Sequence, residues 1–197
     1  MTLLGWVRQD WAANAGRPET QLLLAWFRLA QWADRHWGTA GLLVVKPYWL
    51  ITSLLLGFEL PVTATVGPRL SIYHRNGIVV SAHATLGSDC QLRHAVTVGN
   101  KTDRDGREVG VARVGDHVDL GAGCAVIGDI EVGDHARIGA LAVVTRPVPA
   151  WAIVAGNPGR VIRIDGPGAD GAGADGAGVA GRAAPEPRRP DQPKITR

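Results

Sequence analysis

The sequence predicts a mainly β chain: a left-handed parallel β-helix built on a hexapeptide repeat, with a short N-terminal α-helical segment and a disordered C-terminal tail. Three observations carry this. Aliphatic residues recur every six positions through the middle of the chain, all tryptophans but Trp151 fall before residue 57, and large apolar residues become scarce after Ile164. The predicted divisions are 1–56 (helical), 57–164 (β-helix, with a loop at 101–113) and 165–197 (tail).

In the first division, "ETQLLLAWFRLAQWADRHWG" spaces Leu22, Trp26, Leu29, Ala33 and Trp37 by three and four. That is one face of a helix, with Gly38 as a stop. Leu23, Phe27 and Ala30 widen the face, so the helix is expected to pack on two sides. After Pro47, "YWLITSLLL" reads as a second buried helix. The tryptophans are expected to serve core packing; the alternative is contact with a membrane surface or another subunit. The start lacks a basic stretch leading into an apolar core, so no signal peptide is expected. Lys46 and Pro47 interrupt the most apolar run, which makes it a poor membrane span. The expected location is cytoplasmic.

The repeat occupies the middle. Val80, Leu86, Leu92 and Val98 form one series, and Val114, Leu120, Val126, Val132, Ile138 and Val144 a second; Leu60, Val66 and Ile72 precede them. Small or medium residues follow four positions later, among them Ala84, Cys90, Val96, Cys124, Ala136 and Ala142. Each hexad is one short strand plus a turn. Three hexads close a triangular coil, and coils stack at the usual inter-strand spacing of roughly 4.8 Å. The aliphatic residue points into a narrow interior, so its companion must be modest in size. Glycines directly after the aliphatic position (Gly115, Gly121, Gly133, Gly139) are expected to relieve the turn. The left hand belongs to the hexapeptide class, not to the period. The cysteines fall on inward positions and read as core, not as a disulfide framework.

The breaks are informative too. From Ile72 to Val80 the step is eight, which places extra residues near Asn76-Gly77. From Val98 to Val114 it is sixteen, so "NKTDRDGREVGVA" is partly expelled as a loop, and loops leaving a rigid scaffold commonly carry function. His74 and His94 each lie two residues after a hexad start, one coil apart on the same side. His117 and His135, each in "VGDH", read as turn residues. The tail, rich in Gly, Ala and Pro, offers little apolar burial to offset the entropy of ordering. The net charge of +3 suits an anionic small ligand, and no Lys/Arg block argues for nucleic acid.

The segments "GFELPVTATVG", "YHRNGIVV", "VTVGN", "VGDHVDLGAGCAVIGDIEVGDHARIGA" and "VPAWAIVAGNPGRVIR" resemble the serine acetyltransferase family of hexapeptide acyltransferases, over roughly 57–164. The likeness is strongest to its colanic-acid and exopolysaccharide branch. The resemblance implies a homotrimer with sites between neighbouring β-helices, acetyl-CoA as donor, no metal, and a hydroxyl acceptor. It implies His74 as general base with Glu59 behind it. Histidine suits that work because its pKa lies near operating pH, and a carboxylate stabilises the imidazolium formed in attack. The family usually has aspartate where Glu59 stands. Tyr73, Arg75 and His94 are the expected acceptor contacts. Gly99, the backbone around Gly121, Ala122, Gly139 and Ala140, and Arg160 near the phosphates are the expected coenzyme A contacts.

Departures from the serine-specific pattern point to the acceptor. Tyr73 replaces an aspartate before the base, and Gly110 and Val111 replace an Arg-His pair. A zwitterion needs charged partners, and three are missing. A saccharide hydroxyl is therefore favoured over serine, for which charges in the loop (Lys101, Asp103, Arg104, Asp105, Arg107) would have to substitute. Two other readings remain. A γ-carbonic-anhydrase-like metal hydratase would use His74 and His94 but lacks a clear third ligand. A non-catalytic scaffold leaves the base and carboxylate unexplained.

Overall fold

The computed structural model describes residues 2–166; the predicted tail lies almost wholly outside them. Three helices come first: α1 (Leu3–Val7), α2 (Pro18–His36) and α3 (Leu42–Leu56). α2 starts with proline in its first turn, places Glu19 there, and ends on Arg35 and His36, as the helix dipole favours. Gly38 stops it at φ +53°. α3 begins five residues before Pro47, not after it. A proline that early removes one intrahelical bond, and the carbonyl it strands belongs to the water-facing Leu43.

The face α2 buries differs from the one its apolar spacing suggests. Leu22 and Trp37 are exposed, whereas Thr20, Leu23, Leu24, Phe27, Arg28, Ala30, Gln31 and Ala33 are buried. The polar members of that stripe have a purpose. Arg28, wholly buried, donates to both Asp10 carboxylate oxygens (2.7 and 3.2 Å), to Gln31 Oε1, and to the carbonyls of Val66 (2.9 Å) and Gly67 (2.7 Å). Asp10 also accepts from Leu70 N, and Asn14 brackets Leu70 and Ile72 through its amide. The helices thus satisfy main-chain groups of the first β round that no earlier round could pair.

The rest is three parallel sheets. One holds Val79–Val80, Thr97–Thr102, Ala125–Ile127 and Val143–Val144, extended by a bridge between Glu59 and Val79. The second holds Thr65–Val66, Thr85–Leu86, Arg113–Val114 and Glu131–Val132. The third holds Ser71–Tyr73, Gln91–Arg93, Asp119–Leu120, Arg137–Ile138 and Ala152–Ala155, closed by the antiparallel Arg160–Ile164. The chain visits the three in rotation, so each hexad pairs with its counterpart one round away. Every hexad aliphatic from Leu60 to Val144 is buried, and so are the smaller companions, the two cysteines included.

The glycines work differently from expectation. Gly115, Gly121, Gly133 and Gly139 do not have positive φ. A Cβ on Gly121 would instead lie 2.6 Å from the Ile138 carbonyl oxygen of the next round, so these glycines permit close stacking. The left-handed backbone falls on side-chain-bearing residues in one column of turns (Arg69, Asp89, His117, His135 and Trp151), and in another on His74, Ala95 and Leu141 together with Gly77 and Gly123.

Candidate active site

The second of these turn columns, between the third sheet and the first, gathers most of the residues singled out in the sequence. Ile72 pairs with Leu92, Leu92 with Leu120, and Leu120 with Ile138. His74, His94, Ala122 and Ala140 follow those residues by two, so they descend one column. Main-chain bonds lock the turns together: Ala95 N to Asn76 O, Gly123 N to His94 O, and Leu141 N to Ala122 O, each 2.9 Å. His74 and His94 are both exposed, with ring centroids 6.1 Å apart and nearly perpendicular.

Glu59 reaches this column through the backbone. The eight-residue step makes the turn 74–77, and Gly77 N donates to Gly57 O at 2.8 Å. Glu59 N donates to Ile78 O and Glu59 O accepts from Val80 N, both at 2.8 Å. The Glu59 side chain is exposed and takes a long bond from Ser53 Oγ (3.4 Å). No hydrogen bond joins it to His74. The two expected partners are linked through the backbone, Glu59 two residues from Gly57 and His74 at the start of the turn that bonds it, but their side chains are not in contact.

Tyr73 is not the open platform that its place before His74 suggests. The Arg17 guanidinium lies 3.9 Å from its ring centroid and that of Arg93 5.6 Å. Arg17 Nη2 donates to Ala13 O and Ser71 Oγ, while its Nε and Nη1 are buried without a partner. Arg17 first, then Ser71, lower the Tyr73 phenol pKa from its ordinary value. Arg93 pairs with Asp119 at 3.3 Å, whose second oxygen is buried and unpartnered. Arg75 sits half-buried on the His74 turn. Arg17 was missed in the sequence because it reaches Ser71 and Tyr73 across more than fifty residues, with no local pattern to announce it.

Of the expected coenzyme A contacts, Gly121, Ala122, Gly139 and Ala140 continue the column below His94. Gly99 pairs with Ile127 one strand further on. Arg160 opens the closing hairpin opposite Ala155, and Gly156 O accepts from Val143 N at the foot of the column. Arg160 lines a cavity of about 170 Å³ together with Arg146, which stands on the turn after Val144 and which the sequence reading did not single out. Two exposed arginines in one cavity suit a phosphate-bearing ligand.

The predicted loop is an ordered antiparallel hairpin. Asn100 pairs with Val111 and Thr102 with Glu108, and Asp103 Oδ1 accepts from the amides of Asp105 and Arg107 at its tip. Gly110 has φ +90° and any Cβ there would overlap Asp129, so this backbone has no room for a side chain at that position. In the first turn column, between the second sheet and the third, His117 stacks on His135 (4.6 Å) and His135 on Trp151 (3.9 Å), while Asp89 pairs with Arg69. Among the described residues no three His, Cys, Asp or Glu side chains converge as a metal-binding group.

No protein-family model matches the chain. Over 135 residues it is 38% identical to a serine acetyltransferase of Mycobacterium tuberculosis, covering 68% of this chain and 57% of that protein. Over 122 residues it is 39% identical to the putative colanic acid biosynthesis acetyltransferase WcaB of Escherichia coli, covering 62% of this chain and 72% of that one. A solved serine acetyltransferase in complex with CoA superposes with a TM-score of 0.65 at 22% identity, over 81% of this chain and 69% of that one. At that identity the likeness is one of fold.

Proposed function

This chain belongs to the serine acetyltransferase family of acetyltransferases, and we propose that it is an acetyl-CoA-dependent O-acetyltransferase acting on a saccharide hydroxyl, such as that of an exopolysaccharide precursor. The observation that carries this is the single turn column with Glu59 and His74 at its head, His94 below, Gly121–Ala122 and Gly139–Ala140 along it, and, past its foot at Gly156, a cavity lined by Arg160 and Arg146. We read the three sheets as the faces of one left-handed β-helix, which in a trimer would bring a second chain against this column. With a CoA substrate, the expected compartment is the cytoplasm.

In this reading His74 accepts the proton of the acceptor hydroxyl and later returns it to the departing thiolate, so the step closes without net proton transfer to solvent. Glu59, turned from Ser53, orients the imidazole and stabilises its charged form. The exposed guanidinium of Arg160 and its neighbour Arg146 would hold the CoA phosphates, and the small residues of the column leave room for the extended arm. Around Tyr73 the charges are chiefly guanidinium. An amino acid's ammonium finds repulsion there, whereas hydroxyls and carboxylates find donors. Serine remains the second reading, because a relative at 38% identity is named for it.

Thiol release from acetyl-CoA, screened over amino acids, nucleotide sugars and oligosaccharides, tests the assignment. Release is expected with a saccharide and is expected to fall by about 100-fold or more in His74→Ala. Undiminished release in that variant refutes the base, and release with serine alone moves the acceptor to the second reading.

A further inference from the structure

α3 has more apolar surface than the chain covers. The segment Gly38–Leu56 is 19 residues with a mean hydropathy of 1.5 in its most apolar window, of which 17% is buried. Leu43 is 81% exposed and Leu55 76%, and Leu42, Trp49, Leu50 and Leu54 are exposed as well. At 100° per residue, these side chains with Lys46 and Pro47 sweep roughly two-thirds of the helix circumference. Tyr48 and Thr52 fill the buried remainder. Against one flat protein face a helix hides a stripe of about 100°. An arc twice as wide is covered by a phase that wraps around the helix.

The helix cannot cross a bilayer while the fold is intact. Tyr48, near its middle, is buried and donates to Leu60 O at 2.8 Å, which ties the middle of the helix to the segment that leads into the β rounds. It can lie along a surface. The charge on the helix itself fits an anionic one: Lys46 is the one charged side chain of α3 and is exposed, while Asp34 and Arg35 before it and Glu59 after it lie outside the helix or at the end of its neighbour. Exposed Trp37 and Trp49 are the residue type that favours the headgroup boundary.

We propose that α3 is an interfacial helix that seats the protein on an anionic lipid bilayer. Bound this way, the leucines enter the acyl boundary, and Lys46, which lies between Leu42 and Leu50 on that arc, extends its aliphatic stem to bring its ammonium back to the headgroups. Glu59 follows α3 by three residues, so the candidate site opens close to the lipid surface. The inference does not rest on acetyl transfer, and its test uses neither acetyl-CoA nor acceptor.

The full chain is sedimented with phosphatidylglycerol-containing and with neutral phosphatidylcholine vesicles. Binding is expected to the former and to be weaker on the latter. Leu43→Glu combined with Leu54→Glu is expected to reduce it about ten-fold or more, with unchanged circular dichroism. Tryptophan fluorescence should be quenched by brominated acyl chains, with the quench reduced in Trp49→Phe. A chain that stays in the supernatant with both vesicle types overturns the proposal. So does a mass by light scattering, without vesicles, that drops in the double-glutamate variant while vesicle binding is unaffected; α3 would then be covered by a second copy.

Discussion

Replacing Arg28 by methionine keeps the volume of the side chain and removes its charge and donors. The structure states what is left behind. Asp10, 1% exposed, loses bonds of 2.7 and 3.2 Å and keeps one from Leu70 N. The carbonyls of Val66 and Gly67 lose their donor at the end of the first round, where no strand lies above them. Breaking a buried ion pair from one side costs about 3–5 kcal/mol. Each stranded carbonyl adds about 1 kcal/mol or more, less whatever water recovers. The expected loss is about 4–5 kcal/mol, a large part of an ordinary domain's stability. Asp10→Asn in the Arg28→Met background removes the buried charge and should restore about 1–2 kcal/mol. Urea unfolding followed by circular dichroism reads both. A loss below about 1 kcal/mol in Arg28→Met, or a double variant as unstable as the sum of the singles, would refute the claim that this pair caps the β rounds.

The chain has two tyrosines, and they should titrate apart. Absorbance at 295 nm should show Tyr73 ionising below the ordinary tyrosine value and moving upward in Arg17→Ala. Tyr48 should stay protonated until the fold is lost, because burial raises its pKa, opposed only in part by Arg28. A folded pKa above the unfolded one means that this stability is intact below about pH 10 and declines as pH rises past it. The cysteines should resist thiol reagents at pH 8 in the native state and react in urea, since burial raises Cys90 to about 11 and Cys124 to about 12. Arg146→Ala and Arg160→Ala should each raise the KM for acetyl-CoA about ten-fold with little change in kcat, as loss of a phosphate contact predicts; an unchanged KM in both moves the CoA phosphates elsewhere.

The β rounds were legible because a narrow interior imposes the same demand every six residues, and Val114 to Val144 answer it without exception. The turns were legible only in part. Glycine after the aliphatic position looked like a conformational need, but at Gly121 it is a spacing need set by Ile138 one round away, which no local reading contains. Likewise the buried face of α2 carries Arg28 and Gln31, since its partners are unpaired carbonyls of residues 62–67, not apolar surface. An apolar periodicity cannot report a demand of that kind. Tyr73 shows the same limit at the site. Its position beside His74 was readable, but the guanidinium covering it comes from Arg17, before α2.

The helical segment is therefore part of the site. Gly57, which caps α3 at φ +54°, accepts from Gly77 of the turn that begins at His74. Ser53, one turn earlier, holds the carboxylate of Glu59. The turn that begins at His74 and the Glu59 carboxylate thus both meet the end of α3, so in the proposed reading a displacement of that helix would change the separation of the two side chains. The long Ser53 bond is weak and does little to fix the Glu59 carboxylate in its present orientation. Ser53→Ala should accordingly leave the fold intact and alter the pH profile of acetyl transfer, not abolish it. A profile identical to that of the unmodified chain would show that Glu59 is oriented from elsewhere.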